Sequence, residues 1–252
     1  MQSAPYFEKL GSKGEPLVML HGWGQNLESL KPMAQLLSVN HRLILIDLPG
    51  FGKSSPPAMV WDSFQYADQV KEVLQSLDIK SFSVLGHSFG GKVAMSLAVR
   101  YPEMINKLIL LAPSGLKRKR NTQAWAKFYA IKYLGRLVKK FDKLFRANWF
   151  ETAFIPRFGS ADYKQAKEMR AVLVKSVNED FTPHLAKIHA PTLLMWGEED
   201  QETPVEMAKR LQNQIRNAKL ALFQHKGHYL FQECGSHLCA YHIRSFLRGE
   251  NG

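Results

Sequence analysis

The pentapeptide Gly86-His87-Ser88-Phe89-Gly90 joins an apolar run, Phe82-Ser83-Val84-Leu85, to a helix-like stretch from Lys92 to Arg100. A serine at such a strand-to-helix turn is forced into a strained backbone conformation, and glycines two before and two after remove the side chains that would clash there. Its hydroxyl then stands out above a sheet edge. The helix that follows places its positive end beneath the site, where negative charge developing on a bound group is favoured. The chemistry expected of this arrangement is nucleophilic attack by the serine oxygen on an acyl carbon. Taken alone, the pentapeptide could also be a glycine-rich turn that happens to contain serine.

A serine hydroxyl is a weak nucleophile until a base takes its proton, and the base must be oriented by an acid. His228, in Lys226-Gly227-His228-Tyr229, follows the strand-like run ending at Phe223 and is the candidate base. Asp200 ends Trp196-Gly197-Glu198-Glu199-Asp200, directly after the run Thr192 to Met195, and is the candidate orienting acid. The order Ser, Asp, His along the chain is the one that this type of elbow uses. His225 is a competing base and Glu198 and Glu199 are competing acids. His225 and His228 form an H-x-x-H pair without the further ligands that a metal needs, so no metal is expected. A tetrahedral intermediate needs two backbone N–H donors. The Phe89 amide, immediately after the serine, is one candidate; the Trp23 amide in His21-Gly22-Trp23-Gly24 is the other, with His21 holding that loop. Gly50-Phe51-Gly52-Lys53-Ser54 resembles the end of a phosphate-binding loop, but Asp47 stands where that motif requires glycine, which argues against nucleotide binding.

These residues require a scaffold that brings several strand ends to one edge. Short apolar runs occur at Leu17 to Leu20, Leu43 to Ile46, Phe82 to Leu85, Leu108 to Leu111, Thr192 to Met195 and Leu220 to Phe223. Their lack of alternation predicts parallel strands covered on both faces. Helical patterns lie between them, at Phe64 to Leu77, Phe89 to Tyr101, Pro204 to Ile215 and roughly Leu230 to Leu247. The alternation predicts an α/β fold with a doubly wound, mostly parallel sheet, whose ligand sites lie beyond the C-terminal strand ends. The rhythm breaks after Ser114. From Thr122 to about Phe150 apolar residues recur at helical spacing with lysines and arginines between them, predicting a basic amphipathic helix with a kink near Gly135. A second helical stretch spans about Ser160 to Val177. Residues 115–183 therefore read as a helical cap inserted into a core of residues 1–114 and 184–252.

With 252 residues, 45% of them hydrophobic, the chain can bury one α/β core with an insertion. No segment approaches the roughly 18 uninterrupted apolar residues of a membrane span, and Met1-Gln2-Ser3-Ala4-Pro5 lacks the basic and apolar regions of a secretion signal. Cys234 and Cys239 are too few for a disulfide framework. A cytoplasmic protein is expected. The net charge is +12, yet residues 113–185 alone carry sixteen Lys and Arg against six Asp and Glu. Charge confined to one insertion argues against a nucleic-acid partner.

His21-Gly22-Trp23-Gly24, Asp47 to Ser54, Gly86 to Gly91, Gly197 to Asp200 and Gly227-His228 together resemble the α/β-hydrolase superfamily. The form His-Gly-Trp-Gly-Gln-Asn and the helical cap further resemble the group of pimeloyl-acyl-carrier-protein methyl ester esterases and carboxylesterases. The resemblance implies that His228, held by Asp200, takes the Ser88 proton, that the Trp23 and Phe89 amides hold the oxyanion, and that water resolves an acyl-enzyme, with no cofactor. It leaves room for one strand ahead of Leu17 where the family commonly has two.

The cap's apolar face, with Trp125, Phe128, Phe141 and Phe145, is expected to line an acyl pocket together with Tyr229. Arg136, Lys139, Lys140 and Lys143 on its basic face suit an acidic partner such as an acyl carrier protein, or peripheral contact with an anionic membrane, or equally plain solvation. The expected function is a serine carboxylesterase acting on an acyl ester or thioester, free or carrier-bound. Lactone hydrolysis, C–C bond hydrolysis and perhydrolysis on the same scaffold are alternatives, as is a non-catalytic protein that binds a lipid or an acidic protein.

Overall fold

Four to seven residues of largely apolar sequence suffice for a strand when both faces are covered, and the interior strands of this chain are of that kind. The computed structural model describes residues 3–118 and 122–249, with the side chains of 122–128 excluded. Seven strands, β1 (Phe7–Leu10), β2 (Pro16–Leu20), β3 (Arg42–Ile46), β4 (Phe82–His87), β5 (Ile105–Leu111), β6 (Thr192–Gly197) and β7 (Ala218–Phe223), form one sheet. Their order is β1-β3-β2-β4-β5-β6-β7. β1 runs antiparallel to β3 and all other neighbours are parallel. Every residue of β2, β4 and β6 is buried, whereas the edge strands β1 and β7 are mostly part-exposed.

Helices α1 (Lys31–Leu37), α2 (Ser63–Ser76) and α3 (Phe89–Arg100) connect the first strands, and α4 (Thr122–Phe145), α5 (Ile155–Phe158), α6 (Ala161–Gln165) and α7 (Arg170–Asn178) lie between β5 and β6. α8 (Val205–Gln214) and α9 (Gly235–Arg248) complete the chain. α1 packs against α9 and α2 against α3, and the two pairs cover the sheet's two faces. α2 starts at a capping box in which Asp62 accepts from Gln65 N and Gln65 returns to the Asp62 amide. The strand order reverses between β2 and β4. The candidate oxyanion loop after β2 and the serine elbow after β4 therefore flank the crevice where doubly wound sheets bind ligands.

The chain divides into two compact units, residues 1–116 with 175–252, and residues 117–174. The second is narrower than the insertion expected from sequence. Residues 175–183 belong to the first unit because they close a buried ion pair there: Lys92 Nζ lies 3.0 Å from Glu179 Oε2 and donates to the Ser176 carbonyl and hydroxyl at 2.6 and 2.7 Å. Phe181 N donates to Gly115 O at 2.8 Å beside them. Within the second unit α4 runs unbroken through Gly135. The Phe154 ring packs closely there, since a Cβ on Gly135 would lie 3.0 Å from it. The stretch expected as one helix over Ser160 to Val177 is divided into α6, a short turn and α7, with Lys167 at φ +44° between them.

Candidate active site

Ser88 stands between β4 and α3 with φ 50° and ψ −110°. Non-glycine residues are held in such a region only where the surroundings over-determine them, at a cost of roughly 1–3 kcal/mol. Here the backbone is fastened on both sides: Ser88 N donates to Leu111 O at 3.0 Å, and Ser88 O accepts from Ser114 N at 2.9 Å and Lys92 N at 3.1 Å. The flanking glycines make the turn sterically possible. A Cβ on Gly86 would lie 2.3 Å from Gly90 O, and one on Gly90 would lie 2.4 Å from Leu20 O. The elbow is thus pressed onto itself and onto the end of β2.

Asp200 and His228 are brought together by the loops after β6 and β7. His228 Nδ1 donates to Asp200 Oδ2 at 2.8 Å, with both side chains almost fully buried. Asp200 is fixed by three further donors: Glu202 N and Thr203 N at 2.8 Å to Oδ1, and Thr203 Oγ1 at 2.9 Å to Oδ2. Burial pushes the Asp200 carboxyl up, but the hydrogen bonds and charge of His228 and the Thr203 donors outweigh it, and the net shift is downward. Asp200 is thereby kept ionised opposite the Nδ1–H, which fixes the ring tautomer. The competing residues lie elsewhere: His225 is exposed and sits 3.3 Å from Glu199, and Glu198 is exposed.

The rings of Trp23 and Phe89 meet 5.4 Å apart and nearly perpendicular, with Phe51 against both. The Phe89 amide is the first of α3 and has no intrahelical acceptor. The Trp23 loop is closed by Gln25 N donating to Gly22 O at 3.3 Å. His21 holds this loop to the end of β3. Its Nε2 accepts from Leu48 N at 3.0 Å and its Nδ1 donates to Gly22 O at 2.7 Å, and complete burial depresses its pKa to about 4.

Three residues that sequence reasoning did not single out join these parts. His87, buried, donates from Nε2 to the His228 carbonyl at 3.1 Å, and the Gln25 side chain lies 3.3 Å from its Nδ1. Burial, reinforced by the charge of His228, lowers its pKa to about 3, so it is neutral. Glu202 places Oε2 3.4 Å from His228 Nε2, the edge that a serine hydroxyl would use. Among the expected pocket residues, Tyr229 is 41% exposed, with its ring 5.2 Å from that of His228. Phe141 and Phe145 lie in the second unit, exposed and stacked on each other at 5.9 Å. Arg136, Lys139, Lys140 and Lys143 are exposed there too. Trp125 and Phe128 fall outside the residues whose side chains are described.

A family model described as alpha/beta hydrolase fold matches residues 15–139, and a second, described as TAP-like protein, matches residues 161–251. The uncharacterized hydrolase YugF of Bacillus subtilis (strain 168) is 29% identical over 258 residues, covering 96% of this chain and 94% of the relative. The 2-hydroxy-6-oxononadienedioate/2-hydroxy-6-oxononatrienedioate hydrolase of Escherichia coli (strain K12) is 27% identical over 257 residues, covering 89% and 84%. The solved structure of the esterase EaEST from Exiguobacterium antarcticum superposes with a TM-score of 0.73 at 25% identity, covering 97% of this chain and 95% of that one. A seven-stranded sheet with its elbow after β4, and matches that run through nearly the whole chain, lead to one conclusion: this protein belongs to the α/β-hydrolase superfamily.

Proposed function

We propose that this hydrolase is a serine carboxylesterase in which Ser88 attacks the acyl carbon of an ester or thioester. His228 accepts the hydroxyl proton on Nε2 and returns it to the leaving oxygen or sulfur. Asp200 holds the imidazole and offsets its transient positive charge without taking the proton. The amides of Trp23 and Phe89 stabilise the oxyanion, each contributing about 2.7–4 kcal/mol to the transition state. Water then attacks the acyl-enzyme, with His228 as its base, and releases the acid and free Ser88. The observation that carries the reading is the buried Asp200–His228 pair at 2.8 Å, on the same sheet edge as an elbow serine. Such a pair is costly to bury and is explained by proton transfer at the imidazole's other nitrogen.

The Escherichia coli relative favours a second reading, hydrolysis of a C–C bond beside a carbonyl, which the same Ser, His and Asp could perform. The test is hydrolysis of p-nitrophenyl esters from acetate to laurate by wild type and Ser88→Ala, beside an acyl lactone and a vinylogous diketone. Ester turnover with a chain-length optimum, abolished in the variant, supports the esterase. Turnover confined to the diketone supports C–C cleavage, and turnover of no acyl substrate overturns both.

A further inference from the structure

The second unit, residues 117–174, carries fifteen Lys and Arg against four Asp and Glu, so +11 of the chain's +12 resides there. Its long helix α4 has two stripes. Leu134, Leu137, Val138, Phe141, Leu144 and Phe145 recur at the spacing of one helical face, and Lys132, Arg136, Lys139, Lys140, Lys143 and Arg146 recur on the other. In an ordinary surface helix the apolar stripe is covered. Here Leu134 is 44% exposed, Phe141 50%, Leu144 73% and Phe145 65%, and Trp149, just past the helix end, is 59% exposed. The basic side chains Arg136, Lys140 and Lys143 are exposed as well. No helix of the described residues is long and apolar enough to cross a membrane.

A stripe of aromatic and aliphatic side chains left largely exposed, with only Leu137 and Val138 part-buried, and backed by a dense basic face is the pattern of a helix that lies in a lipid–water interface. The apolar side chains enter the acyl boundary, and the lysines and arginines reach the anionic headgroups along their aliphatic stems. We infer that the C-terminal half of α4, with Trp149, is a docking surface for an anionic lipid bilayer. An acidic protein would also meet the positive charge, but charge alone gives no account of Leu144, Phe145 and Trp149 standing in water on the opposite stripe. A bilayer uses both stripes at once. The inference concerns where the enzyme sits and is independent of which acyl bond it cleaves.

The test is co-flotation of the full-length protein with large unilamellar vesicles of phosphatidylglycerol and phosphatidylcholine at 3:7, beside vesicles of phosphatidylcholine alone. Wild type is expected to float with the anionic vesicles at least tenfold more than with the neutral ones. Both Leu144→Asp and the triple variant Arg136→Gln/Lys140→Gln/Lys143→Gln should lose tenfold or more of that binding. Circular dichroism and the thermal midpoint of each variant establish that it is folded, and Leu144→Ala serves as the milder apolar probe if Leu144→Asp is not. No flotation of wild type with anionic vesicles overturns the inference. Binding that the triple variant loses but both Leu144 variants keep overturns it too, and reassigns the face to an acidic protein. Tight binding of purified acyl carrier protein with no vesicle binding has the same meaning.

Discussion

His87 Nε2 donates to the backbone carbonyl of His228 across 3.1 Å, so the residue before the candidate nucleophile holds the loop of the candidate base. The same ring faces Gln25 at its other nitrogen, and Gln25 Oε1 accepts from Gly22 N at 3.3 Å in the candidate oxyanion loop. One neutral, buried imidazole therefore holds the loop of the candidate base to the elbow, while Gln25, packed beside its other nitrogen, closes the candidate oxyanion loop. Because the imidazole touches no reacting atom, its role is positioning. His87→Ala is expected to lower kcat on p-nitrophenyl esters roughly 10- to 100-fold with KM within about twofold, since small misplacement of a base is costly. His87→Gln, which keeps a donor, should recover part of the loss. A variant whose kcat is unchanged in steady-state assays would show that the loops hold themselves.

Asp200→Asn removes the charge while keeping the shape of a side chain that accepts from four donors. The expected result is a fall of about 10⁴-fold in kcat, measured at saturating ester, because the imidazole loses its fixed tautomer and its counter-charge.

Glu202 carries a carboxylate 3.4 Å from His228 Nε2 and is 56% exposed at the side chain. Its charge should disfavour substrates that bring a second negative charge near the reacting carbon. Glu202→Gln is expected to raise kcat/KM several-fold for the monomethyl ester of a dicarboxylic acid and to leave that for a neutral methyl ester of the same length within twofold. Competition between the two esters at low salt gives the ratio directly.

Stability should fall early on acidification. His21 and His87 have pKa values depressed to about 4 and about 3 from 6.5. Between those values and 6.5 the unfolded chain binds more protons than the folded one, so stability is full above about pH 6.5 and is lost as pH falls toward 4 and then 3. Each histidine can account for a loss on the order of 3 kcal/mol across its window. Urea midpoints at pH 7.5, 5.5 and 4.5 should decline across this series, and a flat profile down to pH 4.5 would refute the neutral buried assignment.

The Lys92–Glu179 pair joins the elbow helix α3 to the residue just after α7, with the Lys92 side chain 1% and the Glu179 side chain 20% exposed. Burial lowers the Lys92 pKa, opposed by Glu179 and Asp62. Removing one member should cost about 3–5 kcal/mol, as an uncompensated charge remains. Lys92→Met is therefore expected to shift the denaturant midpoint strongly, and Lys92→Met/Glu179→Leu to destabilise less than the two single changes summed.

The interior of the fold is legible in the sequence because β2, β4 and β6 are covered on both faces, and continuous apolar runs have few other places to go. Ser88 with its two glycines, and Asp200 and His228 at the ends of such runs, are legible for the same reason: a strand end is a position that sequence can specify. What escapes is set by packing. β1 has a half-exposed edge pattern over four residues, and α1 is only seven residues long, too short to display a helical period. The break at Lys167 carries no glycine or proline to announce it. His87, Glu202 and Glu179 meet their partners through loops whose course depends on contacts distant in sequence, and nothing in their residue type marks them.

The hydrogen bond from Phe181 N to Gly115 O closes a neck 2.8 Å across between the chain's departure after β5 and its return before β6. Below that neck, β5 and β6 run in parallel register as immediate neighbours. Doubling the length of a flexible excursion adds only about 0.6 kcal/mol of closure entropy. The neck thus sets the length of the excursion apart from the sheet that carries the candidate nucleophile, acid and base, so that residues added beyond it cost the core little.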